Sequence, residues 1–498
     1  MLEELKRLVK HSGIYGFGVL LQRSVGFLMI PVYTHYLSPA DYGVLEMLDL
    51  IIFFSGIFAT LGIYAATFRF YGAYESEEDK KEVISTAFLF YAASTLVLAT
   101  ALMIGAGPIA LAVLGSPTYA PLVRLVSVTW FFSSLASVPL AYLRVRERTL
   151  AFVAVSLAQT LLGASLLAVA IAGLKWGVKG ALYANLLTSV IIGLALSGVI
   201  LRRIPRKISK EKLRLMLAYG VPLVPWNLAF YALIFSDRFF LRRYGNLAEV
   251  GVYSLGYKIA GIVSVLINGP FAFAWAWQQF EVAKRKDARE VYAKIQTYQL
   301  LVSVLMGLGV AVLARDVLRI MAPENFWSAA RIVPLIVLCY VLDNIRSVTT
   351  SGLLVRRDTR YLAGIAAIVI ASNLLLNYVL IPRYHAMGAA LATLASYALL
   401  LVLCYIVGQR VYYVRYAYGK GAFMLASATV FYLFSTLYNL PIAVSILANS
   451  LLIALFGLVS LGVLNHDERA MVFELGTNLA GKLRRVLARP GPDLPVRM

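Results

Sequence analysis

Seven ionisable side chains lie inside long apolar runs of this 498-residue sequence: the cations Arg23, Arg124, Lys258 and Arg346 and the acids Glu46, Asp49 and Asp343. A charge at mid-bilayer costs roughly 2.5–3.5 kcal/mol even on insertion scales, so such groups face a wet cavity, a partner or a ligand. Helical periodicity draws their faces. Glu46 and Asp49 share a face with Phe53 and Gly56. Lys258 lies on a stripe with Ser254, Gly261 and Asn268. Asp343, Arg346 and Thr350 line up, as do Arg124, Ser127, Phe131 and Ser134, while Arg23 follows Gly16 and Leu20. Guanidinium and ammonium groups in a cavity would recognise an anionic oxygen cluster such as phosphate. The four cations are therefore the candidate substrate-binding residues of a central cavity, and Glu46, Asp49 and Asp343 the candidates for ion coupling. Simpler roles compete at two places: Asp343 and Arg346 can pair within their own helix, and Arg124 can snorkel to an interface. Asp237-Arg238 reads as a local ion pair where a helix ends at the membrane surface.

The elements that hold these groups are long helices. The chain is 60% hydrophobic and only 14% charged, with a mean hydropathy of +0.78; soluble domains average roughly 45–50% apolar and about 25% charged. Runs long enough to cross ~30 Å of hydrocarbon recur from Ile14 to Val463. Backbone groups in lipid must be satisfied within the segment, so these runs are helices; the short alternating segments of a membrane barrel are absent. The breaks give spans at about 13–34, 42–66, 84–106, 118–141, 151–173, 178–200, 217–237, 250–275, 295–314, 330–353, 361–381, 386–408, 421–439 and 441–463. The expectation is an all-α polytopic membrane protein of about 14 transmembrane helices. No signal peptide is expected, since Met1–Ser12 mixes charges without a cleavage site. Cys339 and Cys404 lie within spans and the four histidines are scattered, so neither a disulfide nor a metal site is expected. No phosphate-cradling glycine loop, nucleophile elbow or paired extramembrane carboxylates occur, so neither a cofactor nor an enzymatic activity is expected. Trp226, Trp275 and Trp277 fit an interfacial belt or stacking on ring-shaped ligands at a cavity mouth.

The net charge of +21 is distributed by topology. Short segments on one side carry Arg144, Arg146 and Arg148, the run Arg202–Arg214, Lys284–Lys294 and Arg410–Lys420, while those on the other side carry few cations. By the positive-inside rule both termini are cytoplasmic, in a cytoplasmic (inner) membrane, and no nucleic-acid partner is needed to explain the charge. Two short matches, Gly43 with Gly251 and Gly180-Ala181 with Gly388-Ala389, are each 208 residues apart and point to duplication of a six-span unit. Copies with an even number of crossings point the same way, so the site should lie between them. The expected organisation is a first lobe at 1–200 (spans 1–6), a cytoplasmic linker at 201–216, a second lobe at 217–408 (spans 7–12), two further spans at 409–463 and a basic tail at 464–498. In that tail Met471, Leu475, Leu479, Leu483 and Val486 fit a helix lying on anionic lipid.

Leu37-Ser38-Pro39-Ala40-Asp41-Tyr42-Gly43 and Ser236-Asp237-Arg238-Phe239-Phe240 resemble segments of the polysaccharide transporter (oligosaccharide flippase) family, within the multidrug/oligosaccharidyl-lipid/polysaccharide exporter superfamily. The resemblance implies two six-helix lobes around a central cavity plus two C-terminal helices, working by alternating access. It also implies a polyprenyl-pyrophosphate-linked oligosaccharide as cargo, moved from the cytoplasmic to the outer leaflet, with the cavity cations meeting the pyrophosphate. Membrane lipids, and possible association with a polysaccharide polymerase and glycosyltransferases, complete the expected partners; the expected state is a monomer. The rival readings are a cation-coupled multidrug antiporter, a lipid II flippase, and a membrane polymerase or ligase. The first would want an acid-dominated cavity. The second usually shows an arginine-rich first span, where Arg23 here stands alone. The third needs catalytic groups on a sizeable outer loop.

Overall fold

A computed structural model describes residues 16, 18–356, 360–466, 468 and 469; the tail expected to form an amphipathic helix lies outside the described residues apart from its first turn. All regular structure among the described residues is helical. Among the described residues ten helices are long and apolar enough to cross a membrane. One of them, Tyr361–Val411, is broken at His385, whose φ of 50° divides the eleventh span from the twelfth. Residues 18–28 continued by Ile30–Tyr36, together with Leu223–Tyr244 and Tyr418–Thr436, are further helices of the bundle. Exposed apolar side chains such as Ile104, Leu375, Val430 and Leu458 coat the outside, as they must where the solvent is hydrocarbon rather than water.

Duplication explains how the lobes meet. The second span (Pro39–Thr60) begins with a capping box: Asp41 N–H donates to Ser38 Oγ at 3.1 Å, and Ser38 N–H donates to Asp41 Oδ2 at 3.1 Å. Pro39 occupies the first turn, where its missing N–H costs nothing. The eighth span (Leu247–Val263) begins 208 residues later in the same manner, with Glu249 N–H donating to Asn246 Oδ1 at 2.9 Å. These two helices then cross on each other. A Cβ at Gly43 would overlap the Leu247 carbonyl oxygen, and one at Gly251 would overlap that of Pro39. The matched glycines thus face each other across the axis relating the lobes, and only residues without a side chain permit so close an approach. Two hydrogen bonds flank the crossing. Thr34 Oγ1 donates to Met321 O at 2.7 Å, and Arg242 Nε donates to Leu114 O at 2.8 Å. Thr34 and Arg242 are also 208 residues apart, so one contact is the counterpart of the other.

The face bearing these contacts is opposite the one that carries the linker. The linker itself belongs structurally to the first lobe. Ser85 Oγ donates to Lys207 O at 2.7 Å, and Ser209 N–H donates to Thr86 Oγ1 at 3.0 Å. In the linker helix (Lys210–Gly220), Lys212 Nζ lies 2.6 Å from Asp79 Oδ1 and 2.5 Å from Glu82 Oε2. Burial acts to lower the Lys212 pKa, but these two carboxylates outweigh it and hold the ammonium above its usual value. Gly220 packs backbone to backbone on Gly62, whose φ of 72°, after Leu61 at 41°, breaks the second span before Ile63–Ala73. The last two spans (Tyr418–Thr436 and Ile442–Gly462) pack on the ninth (Ala288–Met321). There Ser445 Oγ and Asn449 Nδ2 donate to the buried Asp316 carboxylate at 2.9 and 2.8 Å.

Candidate functional site

Between the lobes lies a cavity of about 1710 Å³, above the ~300–1,000 Å³ typical of small-ligand pockets. It ends beneath the crossing of the second and eighth spans. There Tyr42, four residues into the second span, packs edge-on against Tyr33 with ring centroids 5.9 Å apart. One turn further, Glu46 reaches the opposite lobe: Lys258 Nζ lies 2.7 Å from Glu46 Oε1 and donates to Tyr42 OH at 2.8 Å. Lys258 keeps half its side chain open, at 50% exposure, against 13% for Glu46.

Arg238 completes the group. Its Nη1 lies 3.1 Å from Asp237 Oδ1 and its Nε 4.0 Å from Glu46 Oε2. The guanidinium lies over the rings of Tyr257 and Phe235, 4.8 and 5.1 Å from their centroids. Asp237 is fixed in turn by Tyr253, whose hydroxyl donates to Oδ2 at 2.5 Å. Arg238 is among the cavity-lining residues, and its Nε has no hydrogen-bond partner. The sequence reading placed this residue at a helix end on the surface. The helix instead continues to Tyr244, because Phe239-Phe240-Leu241 extend the apolar face, and Arg238 therefore sits almost two turns inside it.

The other expected site residues divide. Arg23, Glu46, Asp49 and Lys258 line the cavity. Arg23 and Asp49 are exposed to it and make no ion pair among the described residues. Arg124 and Arg346 do not line it. Arg124 begins its span only four residues after Ala120, so its exposed side chain reaches the end of the bundle, with Nε 3.4 Å from Met103 O. Arg346 Nε is held 2.7 Å from Asp343 Oδ1 one turn back on its own helix, which also keeps Asp343 out of the cavity lining. Trp275 is core and donates to Ser351 Oγ at 2.8 Å, and among the described side chains, which do not include that of Trp226, Trp130 is the tryptophan that borders the cavity. Its signal in the sequence is the stripe Thr129, Ser133 and Ser137 at four-residue spacing. Further within the second lobe, Ser236, Asn373, Asn377 and Ser396 form a connected network of hydrogen bonds that ties three spans together. Among the described residues no three His, Cys, Asp or Glu side chains cluster as metal ligands.

The polytopic helical bundle, with two lobes around a charged chamber, is a fold shared with solved membrane transporters. The chain is similar to a lipid II flippase MurJ in an inward closed conformation (TM-score 0.72, 14% identity, 89% of this chain and 98% of that one). It is also similar to an inward-facing multidrug resistance MATE family transporter (0.61, 17%, 78% and 94%), and to a mutant form of the Vibrio cholerae MATE transporter VcmN (0.55, 16%, 81% and 96%). Residues 32–331 match the family described as "Polysaccharide biosynthesis protein", and the chain belongs to it. No curated protein sequence matches the chain.

Proposed function

We propose that this protein is a flippase that carries a polyprenyl-pyrophosphate-linked oligosaccharide from the cytoplasmic to the outer leaflet, with fourteen crossings, both termini and the linker face in the cytoplasm, and no catalytic step. The observation that carries the reading is the inter-lobe group of Glu46, Lys258 and Arg238 at the closed end of a chamber large enough for a sugar head. A pyrophosphate cannot enter hydrocarbon unassisted, while its polyprenyl tail never needs to leave it. Arg23, unpaired on the first span, offers the first contact. At the end of the chamber the diphosphate competes with Glu46 for Lys258 and Arg238, since charge-assisted contacts to phosphate are strong and bidentate for arginine. Displaced, Glu46 no longer holds the second span to the eighth, and the crossing at Gly43 and Gly251 can part on the outer side. Binding and opening are thereby the same exchange of anions. Across an interior-negative membrane, outward movement of two negative charges gains about 4.6 kcal/mol per 100 mV. Asp49, the unpaired carboxylate beside this group, is the proposed site for any coupled proton or cation.

The test uses purified full-length protein in proteoliposomes with a fluorescent polyprenyl-pyrophosphate oligosaccharide, scoring the leaflet in which the probe resides. Arg238→Gln and Lys258→Gln should insert normally and fail to move it; wild-type rates in both would overturn the assignment. Uptake of a cationic dye driven by an ion gradient, with no movement of the glycolipid, would favour the multidrug antiporter instead.

A further inference from the structure

The cavity is not lined evenly. Its cations and acids come from the first, second, seventh and eighth spans. The fourth (Ala120–Ser134 and Ser137–Val145), fifth (Thr149–Ala168) and sixth (Gly177–Leu201) contribute a broad wall that, among the described residues, contains no ionisable side chain. We infer that this wall is a saccharide subsite selective for uncharged sugars, reading the glycan whose pyrophosphate is held by Arg238 and Lys258; the inference rests on the flippase function proposed above.

The chemistry of the wall supports this more strongly than its lack of charge alone. Four of its hydroxyls are committed as donors to their own helices: Thr129 Oγ1 to Leu125 O at 2.9 Å, Ser133 Oγ to Trp130 O at 2.9 Å, Thr160 Oγ1 to Ser156 O at 2.9 Å and Thr188 Oγ1 to Ala184 O at 2.8 Å. Each has spent its single proton, so what it offers to a ligand is an acceptor oxygen. A sugar hydroxyl, which donates, matches such a surface. A carboxylate, which only accepts, meets lone pairs at these four oxygens and finds on this wall only a few neutral donors and no cation, so its desolvation is incompletely compensated. Two carboxamides, Gln159 on the fifth span and Asn185 on the sixth, make no hydrogen bond among the described residues, and each offers both donors and an acceptor. Trp130, largely buried, also borders the cavity and adds apolar surface to the wall. The free carboxylate of Asp49 opposes an acidic sugar from the other side.

The experiment compares two synthetic probes on one polyprenyl pyrophosphate, alike except that the terminal sugar is glucose in one and glucuronate in the other, in proteoliposomes holding the full chain. Wild type should move the glucose probe at least about tenfold faster, the scale of one or two hydrogen bonds left unmade. The double variant Gln159→Ala with Asn185→Ala should slow the glucose probe, and Gln159→Arg should shift preference towards glucuronate. Equal wild-type rates for the two probes, or faster movement of glucuronate, overturn the inference even if a variant fails to fold. Movement of neither probe by wild type overturns the flippase reading itself.

Discussion

The two lobes share a topology, matched helix starts and matched inter-lobe contacts, yet they meet the cavity with opposite chemistry. The second lobe supplies fixed cations, Lys258 and Arg238, the latter braced by Asp237 and two aromatic rings. The first supplies Glu46 and Asp49, the unpaired Arg23 and the neutral wall of the fourth to sixth spans. The 208-residue repeat is thus kept in the contacts that join the lobes, while the side chains facing the chamber differ between them. What the closing contacts demand is a glycine at the crossing and a cap before it, which both copies retain. What the proposed cargo demands is asymmetric, because a lipid-linked sugar has a phosphate end and a glycan end.

Five substitutions test this contrast. Arg238→Ala should be the most damaging, because it leaves Asp237 buried without its cation. Such a loss costs about 3–5 kcal/mol, so we expect a marked fall in melting temperature as well as transport reduced about a hundredfold or more; an active, stable variant would show that the second lobe's cations are dispensable. Gly43→Val comes next. Its side chain must displace the Leu247 carbonyl, so the closed face should stand open, and a cysteine placed at Thr34 should react with an impermeant maleimide much faster than in the Gly43 parent. Cys339 and Cys404 are buried, which makes that readout selective. Glu46→Gln should act more mildly, weakening the hold on Lys258 by about 1–2 kcal/mol, and should lower the glycolipid concentration needed for half-maximal flipping, since the substrate no longer competes with a carboxylate. A rise in that concentration would contradict the exchange of anions. Arg346→Met and Arg124→Gln should change flipping by less than about twofold, consistent with their places outside the chamber; a loss as severe as that of Arg238 would mean that the chamber extends to them in another state.

Hydropathy and loop charge made the helical bundle legible, and the 208-residue offset made the duplication legible, because spans and glycine contacts are local or periodic properties. The site was harder to read. Lys258, Glu46, Asp49 and Arg23 could be singled out because a charge within an apolar run is conspicuous. Arg238 was obscured by its position after Asp237, which made a surface end of the helix the natural reading. The converse holds for Arg346: spacing alone cannot distinguish a cation that satisfies its neighbour on the same helix from one that faces a chamber. The neutral wall carries no conspicuous residue at all, only serines and threonines that are common in membrane helices for packing.

The linker's attachment bears on how the lobes can move. With Lys212 clasped by Asp79 and Glu82, and Gly220 seated on Gly62, the connection between the halves is shorter than the charge-rich loop suggests. Only Val221 and Pro222 separate the linker helix from the seventh span, and Val221 N–H still donates to Leu217 O at 2.9 Å. Rocking of the second lobe would then swing the seventh span about a pivot near the linker face, so that about 5° of tilt there becomes a displacement of roughly 3 Å at Arg242 relative to the first lobe. The tether works as the short arm of a lever whose long arm is the seventh span.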